Sequence, residues 1–585
     1  MTTTPGPLDD RVDIGPASDG EEEIASGAVG DELGVTAALL DTVDPVSFGR
    51  ALVEAVVGSV RHPGHAFGAT ARYASGVLAA AQSSLARAAG AVSKGPVDLP
   101  ARDRRFTDPG WTSNAWFYFL LEHHLLFERF LQDLVDAGRL DDDKAGKARF
   151  AAQVVADALA PSNYLWSNPA ALRKALETGG LSTVHGFRNF IADVRENDGF
   201  PRKVDRSFFT VGRDLAATPG KVVYRNDLME LIQFAPQTET VFEIPMLFSP
   251  AWINKYYIMD LKPGSSFVEW AVQHHHTVFI ISYRNPDASM ASVTMDDYLT
   301  QGLLEAVDVI GEITGAPQVN VVALCLGGTL ATMLLAYLTA RGDDRVRSAT
   351  LTNTLVDFGE PGQLGVFADR RTVESLASRI SARGYLDGKQ MARTFDLLRA
   401  NDLIWSYVAT NWLMGEHPPP FELLAWNDDS TNMPATMHAR YLRECYVKNS
   451  LARNELEVAG ARLVVSDVKQ DMYVLSAIDD HIAPWRSCYK TTQLVQGDTR
   501  FVLTSSGHIA GIVNPPGPKT RHWTNPRLDP DPDVWLAGAE EHRGTWWEDW
   551  ATWVSTRAGE RVAPRAPGSD RYPPIADAPG TYVFG

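Results

Sequence analysis

The spacing of apolar residues changes character along the chain. In WFYFLLEHHLLFERFLQDLV (116–135) they recur at helical spacing, which predicts an amphipathic helix, and helical character continues to about residue 195. AATPGK at 216–221 then marks a turn or linker. Beyond it, short apolar runs end in turn-rich loops. FEIPMLF (242–248), TVFIIS (277–282), VNVVAL (319–324), SATLTNT (348–354), MYVLSA (472–477) and RFVLT (500–504) predict strands. Thr294 and Asp297 have the spacing of a capping box, followed by a helical stripe of Leu299, Leu303, Ala306, Ile310 and Ile313. A second, buried helix is predicted over 329–339. Strands alternating with helices predict an α/β fold with a mainly parallel sheet covered on both faces. The helical, aromatic stretch 356–445 interrupts that rhythm and predicts a cap inserted between strands. Residues 1–95 are rich in Ala, Gly, Ser and acidic residues, which predicts disorder over the first 35 or so and loosely packed helices over 36–95. The expected plan is therefore a low-complexity region (1–95), a helical domain (96–235), a catalytic domain (236–555) and a tail (556–585).

Composition narrows the class. With 585 residues, 45% hydrophobic and 22% charged, the chain is an ordinary globular sequence long enough for one large domain and a second one. A net charge of −18 argues against a nucleic-acid partner, which a basic stripe would have to hold. Three cysteines and no CxxC pair argue against a disulfide framework or a zinc site, and favour a reduced, cytoplasmic setting. No signal peptide is evident. Residues 316–340 carry no formal charge and are long enough to cross a bilayer. The Gly327-Gly328 pair, Asn320 and Gln318 instead favour a strand, a turn and a buried helix, so no transmembrane segment is expected.

The candidate chemistry lies in that turn. Ala323-Leu324-Cys325-Leu326-Gly327 has the layout of a nucleophile elbow, G-x-S-x-G, with Cys for Ser and Ala for the first Gly. The elbow needs small neighbours because its nucleophile sits on a tight, strained turn. The fold requires an acid and then a histidine later in the chain. The strand 472–477 runs into Asp479-Asp480-His481, and the strand 500–504 into Gly507-His508. The order Cys325, Asp480, His508 satisfies that requirement, with Asp479 or His481 as possible active neighbours of Asp480. A thiolate exchanges one thioester for another and keeps the acyl group energy-rich, so cysteine favours acyl transfer from a thioester over hydrolysis. The Leu326 N–H should give half of an oxyanion hole, and the loop at 250–254 the other half.

Several separated blocks, in order, resemble polyhydroxyalkanoate synthases: FSPAWINKYYIMDLKPGSSFVEW, HTVFIISYRNPD, LCLGGTLAT, LLAWNDDSTNMP, DDHIAPW and SSGHIAGIVNPP. The resemblance runs from about residue 100 to the end. It implies an α/β-hydrolase core, a cap and an N-terminal helical domain. It implies (R)-3-hydroxyacyl-CoA substrates, a polyester product stored in cytoplasmic granules, and no cofactor beyond the coenzyme A that belongs to substrate and product. It also implies a homodimer, granule-associated proteins as further partners, and activity without a different subunit. Carried over by motif, Cys325 is the nucleophile, Asp480 the acid and His508 the base, with the N–H groups of Leu326 and Ile253 as oxyanion donors. Ala323 departs from the family's usual Gly. Two rival readings stay open: a thioesterase of the same fold, and a non-catalytic granule-binding homologue.

Other features have plainer explanations. His274-His275-His276 are consecutive, so their side chains diverge from any single metal, and no metal site is expected. His123 and His124 are read as structural, Asp141 to Asp143 as a solvated turn, and Cys445 and Cys488 as packing residues. Trp426 is read as buried, while the tryptophans of GTWWEDWATWV (544–554) could equally pack or meet polymer.

Overall fold

The computed structural model describes residues 45–91, 93–98 and 103–585. The disorder expected over the first 35 residues lies outside the described residues. Helices begin well before residue 96. The helices α1 (Pro45–Arg61) and α2 (Pro63–Ala88) pack on α3 (Ala115–Ala137) and α4 (Asp142–Ala158), burying Ala51 and Ala55 with Val135, Ala148 and Ala152. The Ala-rich stretch is therefore part of the helical layer, its small side chains allowing close helix approach. Asp141 is not a free turn residue. It caps α4, accepting the Lys144 N–H at 3.0 Å, and Asp142 and Asp143 occupy the positive end of the helix dipole. The next long helix is α5 (Leu181–Glu196).

Among the described residues the central sheet has eleven strands. They are β1 (Gly220–Arg225), β2 (Met229–Phe234), β3 (Met246–Ser249), β4 (Val278–Tyr283), β5 (Val319–Leu324), β6 (Val346–Thr352), β7 (Asp471–Ala477), β8 (Thr499–Thr504), β9 (Arg521–Thr524), β10 (Glu540–Arg543) and β11 (Ala576–Asp577). Their order is β10-β9-β8-β7-β6-β5-β3-β4-β2-β1-β11. The six central strands, β8 to β4, are parallel, and the flanking strands are antiparallel. The sheet thus starts at Gly220 and ends at Asp577, not at 236 and 555. The β1–β2 hairpin is masked in the sequence because β2 buries two polar side chains, Glu230 and Gln233. Glu230 is satisfied by Arg225 and by the N–H groups of Thr581 and Tyr582, so one buried carboxylate ties the tail to the sheet.

Both faces of the sheet are covered. The helices α6 (Phe267–Gln273), α7 (Glu305–Thr314) and α8 (Leu326–Ala340) pack on it. The expected capping box is present at Thr294 and Asp297. The uncharged stretch 316–340 resolves into β5, Cys325 and α8. No helix among the described residues is long and apolar enough to cross a membrane.

Between β6 and β7 the chain leaves the sheet for a largely helical insertion. It includes α9 (Arg370–Arg383), α10 (Gly388–Leu398) and α11 (Ala435–Tyr441) and ends with a small hairpin at 457–462. The N-terminal helical layer grips this insertion. Lys147 meets Asp369, the cap residue of α9, at 2.5 Å, and Lys203 meets Asp396 at 2.8 Å. Asn189 donates to the carbonyls of Asn411 and Glu416. The final long helix, α12 (Trp546–Ser555), buries Trp546, Trp547, Trp550 and Trp553 against the sheet, so these tryptophans are core residues. Trp426 is buried too, its indole N–H donating to the Lys255 carbonyl at 2.8 Å.

Candidate active site

Cys325 follows the buried strand β5 and caps the buried helix α8, with φ 51° and ψ −116°. A positive φ on a side chain other than Gly or Asn is strained, and it persists only where the surroundings fix it. Here the Cys325 N–H donates to the Thr352 carbonyl on β6 at 2.9 Å, and the Cys325 carbonyl accepts from the N–H groups of Gly328 and Thr329. The glycines after the turn are sterically required. A Cβ on Gly327 would overlap the Ser249 carbonyl oxygen and lie 2.6 Å from that of Pro250, and a Cβ on Gly328 would overlap the Thr354 hydroxyl. The missing side chains let the elbow touch the end of β3. Ala323, in contrast, faces the apolar core, where a methyl group is accommodated.

His508 and Asp480 reach the same place from the ends of β8 and β7. His508 Nδ1 donates to Asp480 Oδ2 at 2.6 Å. The other carboxylate oxygen accepts the N–H groups of Ile482 and Ala483, both at 2.9 Å, which fixes the acid's orientation. Both side chains are buried. The Cys325 sulfur lies close enough to the His508 ring to favour its protonated form. Burial disfavours a charged imidazole, but the Asp480 charge and the Cys325 sulfur outweigh it and hold His508 well above its ordinary range. The structure thus brings Cys325, His508 and Asp480 together, with His508 hydrogen-bonded to Asp480 and close to the Cys325 sulfur. Asp479 is exposed. His481 is pushed down to about 4, chiefly by burial.

Leu326 opens α8, where no intrahelical carbonyl can accept its N–H. Ile253 lies in the turn after β3. Ile253, Cys325 and Leu326 line one apolar pocket of about 960 Å³, counting its open mouth. The opposite wall is built by the insertion, through α9, α10, α11 and Tyr446. Sequence reasoning missed two residues. Asn353, itself at φ 46°, donates to the His508 carbonyl and holds the histidine loop. His438, from α11, lines the pocket. Neither belongs to a motif with a fixed spacing to Cys325.

The other candidates lie elsewhere. Cys445 and Cys488 are fully buried, and burial pushes both thiols up, away from reactivity. His124 is buried beside Arg105 and pushed down to about 3, mainly by burial. Among the described residues no cluster of His, Cys, Asp or Glu could hold a metal, His274 to His276 included.

Two family models match the chain: Poly-beta-hydroxybutyrate polymerase (PhaC) N-terminus over residues 102–271, and alpha/beta hydrolase fold over residues 252–515. The chain is 42% identical to the poly(3-hydroxyalkanoate) polymerase of Methylorubrum extorquens over 506 residues, 86% of this chain and 84% of the relative. It is 41% identical to the poly(3-hydroxyalkanoate) polymerase subunit PhaC of Rhizobium meliloti over 504 residues, 86% and 82% of the two chains. The corresponding subunit of Cupriavidus necator is 42% identical over 492 residues, 83% of each chain.

Proposed function

The chain belongs to the poly(3-hydroxyalkanoate) polymerases, transferases of polyester synthesis, and from that premise we propose that it polymerises (R)-3-hydroxyacyl-CoA through a thioester on Cys325. The observation that carries this reading is the buried, hydrogen-bonded Asp480–His508 pair beside Cys325, which lines an apolar pocket. His508 takes the thiol proton, and the Cys325 thiolate attacks the acyl-CoA carbonyl. The oxyanion is stabilised by the N–H groups of Leu326 and Ile253. The carbon–sulfur bond to coenzyme A breaks, and the CoA thiolate leaves with the proton from His508. The 3-hydroxyl of another unit then gives its proton to His508 and attacks the Cys325 thioester. That forms the ester bond and releases the cysteine as a thiolate. Asp480 orients His508 and offsets its positive charge.

Cysteine suits this task because the acyl group stays a thioester until an alcohol accepts it. The insertion over the pocket keeps water from competing. On this reading the protein works in the cytoplasm, as a homodimer, at the surface of its own polyester. The test is to supply (R)-3-hydroxybutyryl-CoA and measure released coenzyme A, polymer and free acid, for the native protein and for Cys325→Ala. Polymer from the native protein and none from the variant is expected. Free acid as the main product would favour a thioesterase, and undiminished turnover by the variant would remove Cys325 from the reaction.

A further inference from the structure

The pocket above Cys325 is apolar, yet it contains a few polar side chains, and only one of these has buried polar atoms without a hydrogen-bond partner among the described residues. The Thr372 hydroxyl accepts a hydrogen bond from Lys147, and the Thr394 hydroxyl donates to the Gln390 carbonyl. Tyr441 and Tyr446 pack edge to face, with ring centroids 5.6 Å apart. Arg379 is exposed. The exception is His438 on α11. It is 2% exposed, and neither Nδ1 nor Nε2 has a hydrogen-bond partner among the described residues. A buried polar group left unpaired loses its hydration with nothing in return, so such a group in a pocket wall calls for an explanation.

Burial holds its ring pKa down to about 4, so the imidazole is neutral at physiological pH and carries one donor and one acceptor. A purely apolar acyl chain would leave both unused. An acyl chain with a hydroxyl near the reacting carbonyl would not, because a hydroxyl can donate to one imidazole tautomer and accept from the other. We infer that His438 hydrogen-bonds the 3-hydroxyl of the acyl group in the pocket and is the residue that selects hydroxyacyl over plain acyl thioesters. This rests on the proposed function, since it presumes that the pocket receives the acyl group bound for Cys325. Sites built to bond a substrate hydroxyl reject analogues that lack it far more strongly than apolar pockets reject an added group.

The test compares binding of (R)-3-hydroxybutyryl-CoA and butyryl-CoA by calorimetry, in Cys325→Ala protein with and without His438→Phe. Without chemistry, the two affinities report recognition alone. The expected result is that His438→Phe weakens the hydroxylated ligand about tenfold or more, as loss of one buried hydrogen bond implies, and leaves butyryl-CoA within about twofold. His438→Gln, which keeps a donor and an acceptor, should recover part of the preference. Equal weakening of both ligands would mean that His438 only packs, and an unchanged ratio would mean that it does not touch the hydroxyl; either overturns the inference. If His438→Phe does not fold, His438→Leu gives the same comparison. The result is separable from the proposed function, which fails instead if Cys325→Ala protein still releases coenzyme A.

Discussion

Cys325 sits on a strained turn with a buried imidazole beside its sulfur, and a buried carboxylate behind that imidazole accepts three hydrogen bonds. The Asp480 charge is the largest influence raising His508, so Asp480→Asn should let the imidazole lose its proton at lower pH. An NMR titration of His508 would show this, and an unchanged midpoint would mean that Asp480 does not tune the histidine. The same pairing has a stability consequence. His508 titrates above its ordinary 6.5 in the folded protein, so its contribution is fully present below about pH 6.5 and is lost as pH rises through the folded value. Asp480→Asn should flatten that part of the stability–pH curve. The three candidate residues were legible in the sequence because chain order and strand ends constrain them. His438 was not, because only the packing of the insertion shows that its nitrogens lack partners.

Among the elements, the β5–Cys325–α8 unit depends on its contact with the end of β3. Gly327→Ala would drive a methyl group into the Ser249 and Pro250 carbonyls, and both atoms belong to backbone that cannot simply rotate away. The expected cost is about 1–3 kcal/mol of stability. It should also lower the rate of coenzyme A release about 100-fold, because the elbow and the loop carrying Ile253 part. Chemical denaturation and steady-state assays on the same preparation check both. Native-like turnover would mean that the two loops need not touch. Strands with continuous apolar runs, such as β5 and β7, could be read from sequence. The β1–β2 hairpin could not, because Glu230 and Gln233 break the apolar run yet are buried through partners distant in the chain. The tail tryptophans were ambiguous for the opposite reason, since an apolar helix face does not say what covers it.

Across the whole molecule, the N-terminal helices hold the insertion that forms the pocket's far wall. Lys203 and Asp396 are both nearly buried, and burial pushes the Asp396 carboxyl up while Lys203 pulls it down. Lys203→Met would strand that carboxylate and should cost about 3–5 kcal/mol, most of it recovered when Asp396→Leu is added. If the insertion keeps water out, the single variant should also raise the free-acid share of the product. An unchanged product ratio would separate the N-terminal layer from catalysis. This arrangement was not legible in the sequence, because the paired residues are 193 positions apart and neither lies in a motif. Whether the acyl group passes through the Cys325 sulfur is decided by trapping it there. The protein is incubated with isotopically labelled (R)-3-hydroxybutyryl-CoA, quenched in acid, digested and mapped by mass spectrometry. Hydroxybutyryl label is expected on the Cys325 peptide, removable by hydroxylamine and absent in Cys325→Ala. Label on another residue, or label that persists in Cys325→Ala, would contradict passage through Cys325.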